Sequence, residues 1–410
     1  MTIPQEILEE ILDHLRFDFH TLKACSLTHS SFLPPSHRLL FMTVKIRHYR
    51  HQVDSCLKFR DTMVASKYMA SSVRYLILHY LYQRPEEQPD ECMLFSLLRL
   101  LPKLQQVKIY HSLSKATMHN VDSFPPLPSI SNIRHLILTD TKFESFTHLF
   151  SLFSSLEQLD TITMFQVTVK DVSSPNHLAP SRRCHPSALD LYLGDPIVER
   201  LFSPQSTTLS LKGLRVLNIV AADAVYLPSF VIPSLESLTL RLTKWKCPAG
   251  NPIDLRQLIR LRNISIRLRF YNSCCLVEVG QRWPSPLGHR FFETLPSSVE
   301  DIYIEVVISS FVTDLLPKFR SDWQELDRIL ARHPLLFTVR VGIYIDRYYS
   351  DLGEEDSFDY QWTDYGSMDD YLPDFMRFEC MPEMNRLGRV DCKLVKSRMV
   401  FSPYVEIFEG

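Results

Sequence analysis

Glycine is scarce in this sequence, which has ten glycines among its 410 residues. The two nearest neighbours, Gly280 and Gly288, stand eight positions apart, so neither G-x-G-x-x-G nor a P-loop can be written. The hydrolase motif G-x-S-x-G and the zinc-protease motif H-E-x-x-H are absent as well. We therefore expect a protein that is not an enzyme and that has no catalytic residues, cofactor or metal.

The chain also lacks an excess of one charge, long apolar runs and paired cysteine motifs. Its formal net charge is −2, so no basic field predicts binding to nucleic acid or to a membrane. No window approaches about 18 uninterrupted apolar residues, and the acidic amino terminus is unlike a secretory signal. The nine cysteines contain no C-x-x-C, which predicts reduced thiols in the cytoplasm or the nucleus.

The most regular feature that is present is a six-residue pattern, apolar-x-x-apolar-x-apolar. Its last three residues alternate apolar, polar and apolar, as in a half-buried strand. The copies are VRYLIL (73–78), LQQVKI (104–109), IRHLIL (133–138), LRVLNI (214–219), LESLTL (235–240), LRNISI (261–266), VEDIYI (299–304) and LFTVRV (336–341), with a weaker copy in SALDLYL (187–193).

The spacing of these copies predicts the architecture. Successive starts at 73, 104 and 133 lie 31 and 29 residues apart, and those at 214, 235 and 261 lie 21 and 26 apart. These gaps are near the 20–29 residues of leucine-rich repeats, and helix-like stretches such as FTHLFSLFSSL separate several copies. Such units stack into a curved solenoid with a parallel sheet. The alternative is an ordinary α/β domain whose strands follow a non-repeating order.

The predicted repeats depart from the leucine-rich consensus just after the strand. Asn or Cys is usual there, and a ladder of buried Asn side chains satisfies the turns. In this sequence the position holds Leu81, Ser112, Thr141, Ala222 and Thr243. The turns must therefore be satisfied by other groups.

The amino-terminal helix carries more apolar surface than its own packing requires. A surface helix needs an apolar stripe only slightly wider than ~100°, whereas here the apolar residues cover about half the circumference. They are Ile3, Pro4, Ile7, Leu8, Ile11, Leu12 and Leu15. One face should pack on the protein itself, and the other needs a different surface.

Short helices are also expected after the first one. Asp18 or Thr21 should begin the second helix. A third segment, THSSFL, should end before Pro34 and Pro35, after which Ser36 caps HRLLFM. A linker helix should follow over HQVDSCLKFRDTMVASKYMA.

The run IPQEILEEILDHL…TLKACSLTHSSFLPPSHRLLF, over residues 3–41, resembles an F-box. Ile3 replaces the usual Leu, Leu27 and Thr28 stand where Val-Ser is common, and Phe32 stands where Trp is common. The order of F-box, linker helix and degenerate leucine-rich repeats is similar to the large F-box families of mushroom-forming fungi. The resemblance implies an α/β chain with a three-helix F-box at 1–47, a linker helix at 48–71, an irregular solenoid at 72–345, and an acidic-aromatic insertion with a carboxy-terminal cap at 346–410.

The resemblance also implies a function, that of substrate-recognition subunit of an SCF-type ubiquitin ligase. The F-box would bind the Skp-type adaptor, and through it a cullin scaffold, while the solenoid binds a target protein. The implied adaptor contacts are Pro4, Ile7, Leu8, Ile11, Leu22 and Leu27. Leu12, Leu15, Cys25 and Phe32 are the better candidates for the F-box's own packing. Candidate target-binding positions are strand residues that stand between the apolar ones: Arg74, Lys108, Arg215 and Arg267.

Two other classes of function remain open. One is an interaction scaffold that binds the adaptor without any ubiquitylation. The other is a hydrolase in the carboxy-terminal third, which a pocket gathering His289, Glu293 and Asp301 would support.

Two charged segments have alternative interpretations. Residues 241–269 contain eight basic residues against the single acid Asp254, and they predict either a surface for an acidic or phosphorylated partner or a solvated flank. Residues 351–375 contain nine acids and no Lys or Arg. They predict a mobile loop, a docking surface for a basic partner, or a flap that folds onto the basic segment.

Overall fold

The structure is a computed structural model, and it describes the chain in stretches. These are residues 4–47, 54–79, 93–110, 132–171 apart from Glu157, 184–192, 197, 201–202, 209–221, 232–242, 255–270, 288–309, 320–346 and 373–395. The chain divides into two compact units, residues 1–213 and 214–410.

The first unit begins with three helices and continues with strands and further helices. Its helices are α1 (Gln5–His14), α2 (Phe19–Thr28), α3 (Leu33–Leu40), α4 (Asp54–Ala65), α5 (Lys67–Ser72), α6 (Met93–Arg99) and α7 (Phe146–Ser155). Its strands are β1 (Thr43–Arg47), β2 (Tyr75–His79), β3 (Gln106–Tyr110), β4 (His135–Thr139), β5 (Lys142–Ser145), β6 (Thr161–Phe165), β7 (Thr168–Asp171) and β8 (Ala188–Tyr192).

The second unit also combines strands with helices. Its strands are β9 (Val216–Ala221), β10 (Ser237–Leu242), β11 (Asn263–Phe270), β12 (Asp301–Ser309), β13 (Thr338–Asp346) and β14 (Val390–Val395). Its helices are α8 (Gly288–Glu293), α9 (Arg320–Ala331) and α10 (Pro382–Arg386), with a 3-10 turn at Leu255–Gln257 and a π-helix at Phe375–Cys380.

The strands form a large parallel sheet, which confirms the predicted α/β class. In the first unit the order of its strands is β1-β2-β3-β4-β6-β8, and in the second it is β9-β10-β11-β12-β13-β14, so within each unit the strands follow the order of the chain. β5 and β7 pair separately in a two-stranded parallel sheet. Among the described residues, no helix is long and apolar enough to cross a membrane.

Each copy of the six-residue pattern ends in a strand of the large sheet, as the alternation predicts. In IRHLIL, for example, Ile133, Leu136 and Leu138 are buried, while His135 and Ile137 are partly exposed. The same three apolar positions are buried in every copy. β6 belongs to a further copy, LDTITM (159–164), which the sequence analysis missed although it starts 26 residues after the copy at 133.

Backbone hydrogen bonds hold successive copies in the same register. The carbonyl oxygen of Arg74, just before β2, accepts N–H bonds from Gln105 (2.8 Å) and Gln106 (3.0 Å). The carbonyl of Gln105 in turn accepts from Arg134 (2.8 Å) and His135 (3.0 Å). The same two-donor bond recurs at the carbonyls of Arg134, Asp160, Arg215, Glu236, Arg262 and Glu300.

Two turns after the strands adopt left-handed backbone conformations. Asp140 follows β4 and Gln166 follows β6, each with φ of 51°, and their N–H groups donate to Phe165 and Tyr192 carbonyls at 2.8 Å. Thr141, at the consensus Asn position, is fully buried, and its carbonyl accepts the Thr168 N–H at 2.9 Å. In these two turns, backbone N–H and carbonyl groups therefore form the hydrogen bonds that the Asn side chain forms in the consensus.

The amino-terminal helices share a small core of their own. Leu12, Leu22 and Leu39 are buried together, and Leu15, Cys25, Phe32 and Leu40 pack against them. An ion pair of 2.9 Å joins Glu9 of α1 to Arg38 of α3. Asp18 caps α2 by accepting the Thr21 N–H at 3.0 Å, which confirms one of the two predicted helix starts.

The prediction for the third helix was wrong. THSSFL forms no helix of its own, because α2 ends at Thr28 and α3 begins at Leu33, so Pro34 and Pro35 lie in the first turn of α3. Proline fits there because the first N–H groups of a helix have no partner within the helix. Ser36 is buried inside α3 and does not cap it. β1 was not predicted, and the linker segment forms two helices because Ser66 interrupts it and caps α5.

A buried carboxylate accepts hydrogen bonds from the start of α10 in the second unit. Asp327 of α9 accepts the N–H groups of Glu383 (2.7 Å) and Met384 (2.9 Å) at the start of α10. Burial raises its pKa, although the two N–H donors act in the opposite direction. Beyond α10 the chain enters β14, which pairs with β13.

Candidate functional site

An exposed apolar strip lies along α1. Ile7 and Ile11 are 46% and 48% exposed, and Pro4 precedes them at the spacing that places all three on one side of a helix. Leu8 and Leu12 are buried on the adjacent face of the helix. The helix therefore has two apolar faces, as its sequence predicts, and only one of them is covered within the described residues.

The proposed adaptor contacts differ in exposure. Leu27 of α2 is 86% exposed and adds to the accessible apolar surface, together with Pro4, Ile7 and Ile11. Leu8 and Leu22 are buried, so their side chains offer a partner no surface in this structure. The sequence could not separate the two groups, because neighbouring apolar positions on a short helix satisfy the same pattern.

Four residues were predicted to pack within the amino-terminal helices rather than against a partner. Leu12 is buried in the core of the three helices, and Leu15, Cys25 and Phe32 pack against that core, which confirms the prediction. Sequence reasoning missed the exposed Phe17 and Phe19, which flank Asp18 between α1 and α2. Two aromatic residues beside a helix cap are the signal that could have identified them.

The sheet presents a second candidate surface in the first unit, around Lys108 of β3. Lys108 is only 5% exposed, and its Nζ lies 4.7 Å from the centre of the Tyr110 ring, which stacks on His79 at 4.4 Å. Burial, and to a lesser degree Lys45, lowers the pKa of Lys108 to about 8. An amine with this pKa stays mostly protonated at pH 7, but its burial leaves little of it accessible to an acidic target.

Arg74 and Arg215 do not lie within strands. Each directly precedes a strand, and its own carbonyl oxygen accepts two N–H bonds from the next copy. The guanidinium of Arg74 also donates to the carbonyls of Ser71 (2.8 Å) and Val73 (3.3 Å), and burial lowers its pKa. Arg215 is exposed. The structure thus places these two at the edge where copies begin, and Lys108 within a strand.

Arg267 lies in β11 of the second unit and has a carboxylate partner. Its Nη2 lies 2.5 Å from Oε1 of Glu305, which is opposite it in β12 and has a side chain only 4% exposed. Arg262 lies 3.8 Å from Glu300, the corresponding acid at the start of the same two copies. Part of the basic segment 241–269 is therefore neutralised by the next repeat.

A shallow depression of about 300 Å³ lies on the same sheet of the second unit. Its lining residues are Ser237, Asn263, Ile264, Ser265, Asp301, Tyr303 and Arg340. It includes Asp301 but neither His289 nor Glu293, so it does not gather the three residues of the hydrolase alternative. This site was not predicted from the sequence, although most of its residues occupy polar positions of the repeats.

The described residues contain no group of three or more potential metal ligands. Cys184, Cys380 and Cys392 are buried, and burial raises the pKa of each thiol to about 12. These cysteines are therefore packing residues rather than nucleophiles.

Neither a protein-family model nor a curated protein matches the chain. The choice of function therefore depends on the apolar strip of α1, on the surfaces of the sheet and on the motif resemblance.

Proposed function

We propose that the chain is the substrate-recognition subunit of an SCF-type ubiquitin ligase. The observation that carries the proposal is the exposed strip of Pro4, Ile7 and Ile11 on a helix whose adjacent apolar face is buried. Fully burying an isoleucine side chain contributes about 1.5–3 kcal/mol, so the strip could support a stable contact. The sequence around it resembles an F-box.

In this proposal residues 1–47 are an F-box that binds the Skp-type adaptor and, through it, a cullin scaffold. Pro4, Ile7, Ile11 and Leu27 supply the accessible contacts. Leu22 is buried with Leu12 in the core that positions α1 and α2, and Leu8 is buried on the inner side of α1. Leu8 and Leu22 therefore support the adaptor surface from beneath.

We further propose that residues 72–345 are an irregular leucine-rich-repeat-like solenoid that binds the target. The chain-ordered parallel strands, the recurring two-donor carbonyl bonds and the paired left-handed turns support this interpretation. Residues 48–71 would be the linker and 346–410 the insertion and cap. The acidic segment 351–375 lies outside the described residues except for 373–375, so its role as loop, docking surface or flap stays a prediction.

The proposed mechanism is positional. A receptor that holds a target and an adaptor at once raises the concentration of target lysines near the charged ubiquitin-conjugating enzyme. Such a receptor works by tethering and needs no catalytic residues of its own. This mechanism places the protein in the cytoplasm, the nucleus or both, where these ligases act.

The decisive experiment is a binding assay between the full chain and purified Skp-type adaptor. We expect the wild type to bind and Ile7→Asp/Ile11→Asp to bind at least 100-fold more weakly, since two hot-spot residues of about 2 kcal/mol each would be lost. Val64→Asp is the matched control, because Val64 is an exposed aliphatic residue of α4. Thermal unfolding of all variants checks that they fold.

Two results would overturn adaptor docking: no binding by the wild type, or equal binding by the double variant. Reconstituted ubiquitylation with a captured partner then separates a ligase subunit from a scaffold. Ubiquitin transfer that requires Ile7 and Ile11 supports the ligase role. Binding of both adaptor and partner without transfer supports the scaffold.

A further inference from the structure

We propose that the depression on β10–β13 binds an extended peptide segment with one basic and one acidic side chain two residues apart. The proposal rests on the proposed function only in taking this peptide to be part of a ubiquitylation target. The binding chemistry itself follows from the second unit alone.

The register of the strands places the lining residues in two rows. Ser237, Asn263 and Asp301 lie side by side in β10, β11 and β12. Ser265, Tyr303 and Arg340 lie side by side two residues further along β11, β12 and β13. All six side chains occupy the polar, outward positions of their copies, so they form one surface.

Asp301 and Arg340 are the charged residues of this depression, and they have opposite signs. The structure records no ion pair for either side chain among the residues it describes. Nearby pairs behave differently, since Arg267 contacts Glu305 and Arg262 contacts Glu300. The depression therefore offers one carboxylate and one guanidinium to a ligand.

The separation of these two charges matches an extended peptide. Arg340 is opposite Tyr303, which is two residues beyond Asp301, so the two charged residues are diagonal neighbours on adjacent strands. Parallel strands lie about 4.8 Å apart and two residues span about 6.6 Å along a strand, so these diagonal neighbours lie roughly 8 Å apart. Alternate residues of an extended chain point the same way and lie about 6.6 Å apart. A basic and an acidic side chain at positions i and i+2 would therefore reach Asp301 and Arg340 together.

The remaining lining residues suit a peptide backbone and a long side chain. The two serine hydroxyls and the Asn263 amide can donate to and accept from peptide groups. The Tyr303 ring, between the two charged residues, offers a flat surface to the aliphatic stem of a Lys or Arg. A volume of about 300 Å³ is at the lower end for ligand pockets, so the site fits a short motif and not a folded domain.

The test measures binding of fluorescent nine-residue peptides to the purified full chain by polarisation. The peptides share one sequence and differ only at two positions, which carry K-x-E, E-x-K, K-x-K or E-x-E. We expect one or both mixed peptides to bind at least tenfold more tightly than K-x-K and E-x-E. Raising the salt concentration should weaken that binding, because the contacts are charged.

Asp301→Asn and Arg340→Gln should each weaken binding of the preferred peptide about tenfold. Arg332→Gln is the matched control, because Arg332 is an exposed cation of the same unit and does not line the depression. The exchange Asp301→Arg/Arg340→Asp should reverse the preferred order of the two charges. Thermal unfolding checks that each variant folds.

The proposal is overturned if all four peptides bind alike, if none binds, or if the Asp301 and Arg340 variants bind as the wild type does. Adaptor binding is measured on the same variants and should not change. Conversely, Ile7→Asp/Ile11→Asp should keep its peptide affinity. A failed adaptor assay with a positive peptide assay would therefore overturn the ligase role alone, and the reverse result would overturn this site alone.

Discussion

Arg267 and Glu305 form an ion pair across the neighbouring strands β11 and β12, with Nη2 of the arginine 2.5 Å from Oε1 of the glutamate. The carboxylate is almost fully buried, while the guanidinium is one-third exposed. Because the pair is internal, Arg267 is a poor candidate for binding an acidic target. Its first role is to compensate the buried charge of Glu305.

Arg267→Met should destabilise the protein by about 2 kcal/mol, because it leaves the Glu305 carboxylate buried without its partner. The double variant Arg267→Met/Glu305→Leu should recover most of that loss. Urea unfolding measures both. Arg262→Met is the control, since the exposed pair of Arg262 with Glu300 should contribute less than about 1 kcal/mol. Equal effects of the two single variants would contradict the prediction.

Lys108 should make stability depend on pH in a defined direction. Its folded-state pKa of about 8 lies below the ordinary value of 10.5, so between these values the unfolded chain binds more protons. The folded state is therefore penalised at pH 7, and the penalty is relieved as the pH rises through 8 towards 10.5. Lys108→Met should be more stable than the wild type at pH 7, and this advantage should shrink by pH 10. Denaturant unfolding at both pH values provides the test, and a difference independent of pH would refute it.

Asp327→Ala should destabilise the second unit by about 2 kcal/mol, because two buried N–H groups at the start of α10 lose their acceptor. Asp327→Asn should be milder, since it retains one acceptor oxygen. Hydrogen exchange at Glu383 and Met384 localises the effect, and both amides should exchange faster in the alanine variant. Unchanged exchange there would show that the cap is dispensable.

Replacing Gln166 by glycine or by valine should have very different effects on stability. Its φ of 51° is accessible to glycine and strained for a β-branched residue, so Gln166→Val should be about 2 kcal/mol less stable than Gln166→Gly. At Gln106, within β3, the order should reverse, because valine favours strands and glycine weakens them. Thermal unfolding of the four variants gives the comparison. The same order at both positions would contradict a left-handed turn at 166.

The two faces of α1 should separate folding from binding. Leu8→Ala removes a buried side chain and should cost about 2–3 kcal/mol of folding stability. Ile7→Ala, at an exposed position, should change folding stability by less than about 0.5 kcal/mol while weakening adaptor binding. Chemical unfolding and the adaptor assay measure the two quantities. A stable protein with Leu8→Ala, or an unstable one with Ile7→Ala, would reverse the assignment of the faces.

The sequence predicted the parts of this fold that depend on a repeated burial pattern. The alternation in IRHLIL located β4, and the apolar excess in α1 predicted an uncovered face. The partners of charged side chains could not be predicted where they come from residues distant in sequence. The proximity of Glu305 to Arg267, 38 residues earlier in the chain, follows from strand register and cannot be read from local pattern. The prediction of the third helix failed for another reason. Proline occurs both after the end of a helix and in its first turn, so Pro34 and Pro35 were compatible with either place.

The bonds between successive copies run through backbone carbonyls and amides, and this has a consequence for variation. A side chain on the outward row of β10 to β13 can change while those bonds stay in place. Such a surface can acquire a new partner through one or two substitutions, without any need to redesign the framework beneath it. If related proteins bind different partners, their sequences should therefore differ mainly at the outward residues, while the inward leucines and isoleucines stay the same.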